Sequence, residues 1–223
     1  MAQSRNLKPF YIAFAAVAVV GAAAIWWARG TGATPVEVGP TPVVATDFAG
    51  YVIGSDSARV EIREYADFGC GACSHFAVLS GPAVRNRLVA TGRVRVRFRD
   101  FVIPSHPGSP DAHMAAACAN EQGQFWAMHD QLFFNQRQWE PERQPDREFR
   151  KYAEAIGLNM NSWNACMRDR RYAARIDAAK QEGLALGVNS TPSFVIGGLL
   201  VTGAIPYDSV VVLVERAEAR LGQ

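Results

Sequence analysis

The sequence predicts an α/β domain in which a block of helices interrupts a sheet, preceded by one transmembrane helix. Three patterns predict it. Apolar residues alternate with period two over 60–66 and 93–101, the signature of strands with two unlike faces. Helical spacing of apolar residues fills 110–187. An uncharged stretch, Pro9 to Ala28, has the length of about 20 residues that an α-helix needs to cross a bilayer's hydrocarbon core.

The elements follow in chain order. Residues 1–8 form a short cytoplasmic N-terminus with Arg5 and Lys8, and 9–28 form a signal anchor with Trp26 and Trp27 at aromatic-belt depth. A cleaved signal peptide is the rival, and Ala22-Ala23-Ala24 would suit processing; the apolar run exceeds the usual core of about 7–15 residues and favours an uncleaved anchor. Positive charge before the run keeps the N-terminus inside, so everything after residue 29 is expected on the extracytoplasmic (periplasmic or extracellular) face. Residues 29–47, with Pro35, Pro40 and Pro42, read as an extended, semi-rigid linker.

The folded domain is expected over 48–223. Its first clear strand places Val60, Ile62, Glu64 and Ala66 on one face and Glu61, Arg63 and Tyr65 on the other. A helix follows over 74–90, with Gly81-Pro82 as a kink. Arg93, Arg95, Arg97 and Arg99 alternate with Val94, Val96 and Phe98, which suits the charged side of an edge or partly covered strand. Asn159 is an expected N-cap for the helix carrying Trp163 and Cys166. Ser193 to Ile196, the turn Gly197-Gly198 and Leu199 to Val201 form a hairpin, and an amphipathic helix over 207–221 ends the chain.

Composition narrows the function. Lysine and arginine total 23 against 21 acidic residues, a net charge of +2, with no basic tract of the kind that binds nucleic acid. Cys70-Gly71-Ala72-Cys73 carries the chemistry. Two thiols one helical turn apart close a small ring, accept two electrons and open again. The first of them sits where unpaired helix N–H groups favour a thiolate. Cys70 is therefore the expected exposed nucleophile, and Cys73 the shielded partner. A zinc knuckle would need two more ligands, and a c-type haem would need histidine at position 74, where serine stands. Neither a metal nor another cofactor is expected. Cys118 and Cys166 lie on apolar stripes of separate helices. They are either buried thiols or a structural bridge, and an oxidising compartment favours the bridge. Phe68 suits either the core or an apolar substrate surface, and His75 stands near the motif.

Taken with the segments Glu64 to Cys73, Glu121 to Trp126 and Gly187 to Phe194, which occur in the same order, the chain resembles DsbA-type thiol oxidoreductases over 48–223. The resemblance implies a thioredoxin fold with a helical insertion at about 104–188. It also implies a cis Thr191-Pro192 loop that binds substrate beside the redox-active pair Cys70 and Cys73, and a proton-transfer role for Glu64. The alternative for Glu64 is pairing with an arginine of the neighbouring strand. The implied activity is disulfide introduction into exported proteins with free thiols. The implied partner is a membrane quinone-linked reoxidant of the DsbB or vitamin K epoxide reductase type. Family members often carry Pro-His between the cysteines, where this chain has Gly71 and Ala72. That departure keeps open a reductase or isomerase running the same pair. From other classes, a metal carrier or a tethered chaperone remain the alternatives.

Overall fold

The computed structural model describes residues 11, 14, 16–21, 35–39, 48–142 and 145–222. The chain divides into two units, Met1–Thr34 and Pro35–Gln223. In the first, residues 16–21 are helical, and most of the expected anchor lies outside the described residues. Among the described residues no helix is long and apolar enough to cross a membrane.

The second unit is built on a six-stranded sheet in the order β1-β6-β5-β3-β4-β2. The strands are β1 (Val36–Glu37), β2 (Tyr51–Ile53), β3 (Val60–Ala66), β4 (Val94–Asp100), β5 (Ser193–Ile196) and β6 (Leu199–Thr202). β3 and β4 are parallel, and the other pairings are antiparallel. The helices are α1 (Gly71–Leu79), α2 (Gly81–Val84), α3 (Ser109–Asn120), α4 (Phe125–Phe134), α5 (Gln136–Trp139), α6 (Asp146–Ala155), α7 (Met160–Arg168), α8 (Ala173–Ala185) and α9 (Tyr207–Leu221). α3 to α8 are the predicted insertion, placed between β4 and β5.

The predicted alternation of β3 is realised as burial. Val60, Ile62 and Ala66 pack into the core, and Ile62 shares a cluster with Phe76 of α1, Val84 of α2 and Val214 of α9. Tyr65 on the opposite face joins Phe101, Leu186 and Val188. The predicted single helix over 74–90 is broken. It starts at Gly71, stops at Leu79, restarts with Pro82 in the first turn of α2, and continues as a π turn over Arg85–Val89. Pro82 has no N–H to give to an interior turn, so it is accommodated where helix N–H groups are unpaired anyway. The hairpin turn has positive φ at both Gly197 (56°) and Gly198 (79°), the pairing a two-residue turn of this twist requires.

Two expectations change. Of the two readings of β4, an edge or a partly covered strand, the edge reading falls, because β3 and β2 flank it. Its arginines answer carboxylates instead: Arg95 and Arg97 donate to Glu61 of β3, Arg93 takes Glu218 with two bonds of 2.7 Å, and buried Arg99 takes Glu182 of α8. Burial opposes ionisation of Glu61, yet Arg97, Arg63 and Arg95 bring its pKa down to about 2. The second change is in the linker: Val36 and Glu37 pair with Leu200 and Leu199 and add a strand to the sheet, with Glu37 held by Arg220 at 2.9 Å.

The apolar side chains of the insertion share one core with Phe68, Cys73, Ala77 and Phe98, and a Cys118–Cys166 disulfide joins α3 to α7 within the insertion. Asn159 caps α7 by accepting the Ser162 N–H at 3.1 Å, as the sequence predicts. The bridge spans a sequence separation of 48, and closing such a loop stabilises by roughly 4 kcal/mol in the chain-entropy model. Cys118→Ala or Cys166→Ala is therefore expected to lower unfolding stability by a comparable amount in a denaturant titration while Cys70 keeps its reactivity. Labelling of both positions by a thiol reagent in air-oxidised protein would refute the bridge.

Candidate active site

The site grows from the end of β3. After Ala66 the chain turns through Asp67, Phe68 and Gly69, and Cys70 becomes the N-cap of α1 with extended backbone (φ −81°, ψ 118°). This geometry leaves the N–H groups of Ala72 and Cys73 pointing at the Cys70 sulfur, where both favour the thiolate. Cys70 is more covered than its expected exposure, at 8 % against 0 % for Cys73. The Thr191-Pro192 loop explains the cover: its peptide bond is cis, and in the thiol form Cys70 Sγ donates to the Thr191 carbonyl at 3.4 Å. Thus the fold brings Cys70, Cys73, Thr191 and Pro192 together from opposite ends of the domain.

The two thiols are not equivalent. The Cys73 S–H donates to the Cys70 sulfur and, against the cost of burial, this bond leads in bringing the Cys70 pKa down to about 6. The Thr191 side chain and the helix N–H groups act in the same direction. Burial pushes Cys73 well up, and the bond to Cys70 and its charge push it further. At neutral pH the pair therefore holds one thiolate, on Cys70, and one proton, on Cys73.

Glu64 is 4 % exposed on the apolar face of β3, and its Oε1 has no hydrogen-bond partner among the described residues. Burial pushes its pKa up to about 8, opposed only by the charge of Arg85. The neighbouring-strand arginine weighed for it is engaged elsewhere, since Arg93, Arg95, Arg97 and Arg99 all bond other carboxylates.

Sequence reading missed the groups that hold the cysteine turn. Asp67 is fully buried; its carboxylate accepts from Gly69 N–H at 2.7 Å, from Ile103 N–H and from Ser109 Oγ, and it lies 3.2 Å from His106 Nδ1. Phe68 N–H donates to His113 Nε2 at 3.3 Å, and the other ring nitrogen of His113 meets Asp100 at 2.6 Å. Gln136 donates to the Phe68 carbonyl at 2.6 Å. The insertion thus clamps the turn that aims Cys70. A carboxylate three positions before the first cysteine, at the end of a buried strand, was the visible signal for Asp67; its partners are remote in sequence. Phe68 resolves to core, stacked with Phe98 and tilted against Phe133, while His75 is exposed. Among the described residues no three His, Cys, Asp or Glu side chains gather as a metal site.

Residues 46–216 match the thioredoxin family. The chain belongs to the thioredoxin family. Its fold is that of DsbA proteins: it aligns with Wolbachia pipientis α-DsbA1 at a TM-score of 0.71 and 18% identity, covering 82% of this chain and 100% of that one. Oxidised BdbD from Bacillus subtilis aligns at 0.70 and 18% identity, covering 84% and 98%. A thioredoxin-like oxidoreductase from Silicibacter pomeroyi aligns at 0.65 and 25% identity, covering 76% and 92%. Among curated proteins, the Na(+)/H(+) antiporter NhaA 3 of Salinispora tropica is 35% identical over 176 residues, covering 77% of this chain and 25% of that protein. The chain spans about a quarter of the length of the curated relatives it matches. Family membership and the unequal thiol pair suit Cys70 and Cys73 to thiol–disulfide exchange.

Proposed function

We propose that this protein is a membrane-tethered, extracytoplasmic oxidase that introduces disulfides into exported proteins through Cys70 and Cys73. The observation that carries the direction is the stabilised Cys70 thiolate, with a pKa of about 6. A stable thiolate favours the reduced enzyme, and an enzyme that prefers to be reduced is an oxidant of its substrates. The charge asymmetry around residues 9–28 supports export of the domain, and the match to part of Na(+)/H(+) antiporters supports work beside a membrane. Ion exchange itself is not carried over to this chain.

In the proposed cycle a substrate thiolate attacks Cys70 Sγ of the Cys70–Cys73 disulfide. The S–S bond breaks, a mixed disulfide forms, and Cys73 leaves as a thiolate that takes up a proton. The cis Thr191-Pro192 loop presents its backbone to the substrate strand. A second substrate thiolate then attacks the substrate sulfur of the mixed disulfide, expelling the Cys70 thiolate. The substrate has lost two electrons and the enzyme has gained them. A quinone-linked membrane protein of the DsbB or vitamin K epoxide reductase type is the proposed reoxidant. Titration of the pair against glutathione tests the direction. The expected potential is clearly more oxidising than that of thioredoxin, about −270 mV. A value at or below the thioredoxin potential overturns the oxidase reading in favour of a reductase.

A further inference from the structure

Under α1, one turn beyond Cys73, lies a polar cluster that the thiol chemistry does not use directly. Glu64 lines a cavity of about 30 Å³ together with Phe76, Ala77, Arg85, Trp126 and His129. That volume holds one water. Trp126 is not available to it, because its indole N–H donates to the Val52 carbonyl at 3.1 Å. The polar groups left are the unpartnered Glu64 Oε1, Arg85 and His129.

His129 is 4 % exposed and ringed by aromatic side chains, among them Phe68, Phe98 and Phe133. Its Nδ1 lies 2.9 Å from Asp130 Oδ1, which also accepts from Arg85 Nη1 at 2.8 Å. Burial pushes the imidazole pKa down, against the pull of Asp130. The neutral ring donates Nδ1–H to Asp130 and keeps a lone pair on Nε2. The Asp130 side chain is 35% exposed, so the chain of groups ends in solvent. Arg85 opens the π turn, an irregularity often kept where a side chain must be aimed.

The geometry points to a proton path from Glu64 to solvent, through a water in the cavity to His129 and then Asp130. It rests on the reading of Glu64 as the carboxyl that serves Cys73. When the pair is reoxidised, protonated Glu64 gives its proton to the water as the water protonates His129 Nε2, and the Glu64 carboxylate then takes the Cys73 proton. His129 Nδ1–H passes to Asp130 and out. When substrate is oxidised the same protons move inward: Asp130 returns a proton to Nδ1, Nε2–H goes to the water, and Glu64 supplies the departing Cys73 thiolate. Each half-cycle restores the tautomer the other needs, so the ring never has to flip.

The test is stopped-flow exchange of the full chain with oxidised and reduced glutathione, from about pH 6 to about pH 9, in Glu64→Gln, His129→Phe, His129→Gln and the Glu64→Gln/His129→Phe double variant. At about pH 7, Glu64→Gln and each His129 variant are expected to slow exchange by at least about tenfold. The double variant should be no slower than the slower single, and alkylation of Cys70 should keep its rate in all of them. Wild-type exchange in both His129 variants beside a slow Glu64→Gln overturns the path and leaves the Glu64 reading standing. Wild-type exchange in Glu64→Gln removes both. Multiplying effects in the double variant assign His129 to packing alone and also overturn the path. If His129→Phe does not fold, His129→Gln, which keeps a polar contact to Asp130, decides.

Discussion

Reduced Cys73→Ala protein is expected to accumulate mixed disulfides with unfolded thiol-containing proteins, and Cys70→Ala protein to accumulate few. The reason is positional. Cys70 caps α1, carries the thiolate and keeps 8 % of its surface open, whereas Cys73 is fully buried and stays protonated. With Cys73 gone, no internal thiol remains to expel a protein bound to Cys70, so the complex persists. Non-reducing gels after acid quenching measure the trapped fraction. Both single variants are expected to lose disulfide-forming turnover almost completely, because each removes one of the two electrons' carriers. Equal trapping by the two variants would remove Cys70 from its place as the attacked sulfur.

Replacing Glu64 by Gln is expected to stabilise the protein at alkaline pH and to leave it nearly unchanged in acid. The sign follows from the direction of the shift. Burial raises the folded-state pKa from the ordinary carboxyl value of 4.5 to about 8, so between those values the folded chain holds a proton that the unfolded chain has released. Stability then falls as pH rises through that window and levels off above it. Integrated over the window, the loss is roughly 3–5 kcal/mol, and the Gln variant should not show it. Urea titrations of both proteins from about pH 4 to about pH 9 give the difference curve, which should rise across the window and then flatten. A flat difference curve would mean that Glu64 ionises in the fold at little cost, and that a partner compensates it.

These two outcomes test different links of the same design. The cysteines become unequal through the S–H bond from Cys73, the burial of Cys73 and the helix N–H groups at Cys70. The carboxyl needs a buried strand face, which only packing supplies.

Much of this was legible in the residues. The period-two runs at 60–66 and 94–100 became parallel neighbours, the Gly197-Gly198 pair became the hairpin turn, and Asn159 became a cap, because each depends on contacts within a few positions. Cys-X-X-Cys placed before a helix determined which sulfur would be favoured as thiolate. The parity of Glu64 determined that it would be buried.

Tertiary structure decided the rest. Whether β4 was an edge depended on β2, a short strand with little signal of its own, which pairs with it across more than forty residues of chain. The fate of the four arginines turned on carboxylates from β3, α8 and α9. The clamp on the cysteine turn, from Asp67 to Ser109, His113 and Gln136, joins segments that no periodicity connects. The sequence by itself determined the chemistry of this protein, because a thiol pair at a helix start is a local fact. Its electrostatic surroundings were settled only when distant elements packed, because burial and ion pairing depend on which remote side chains exclude water from one another.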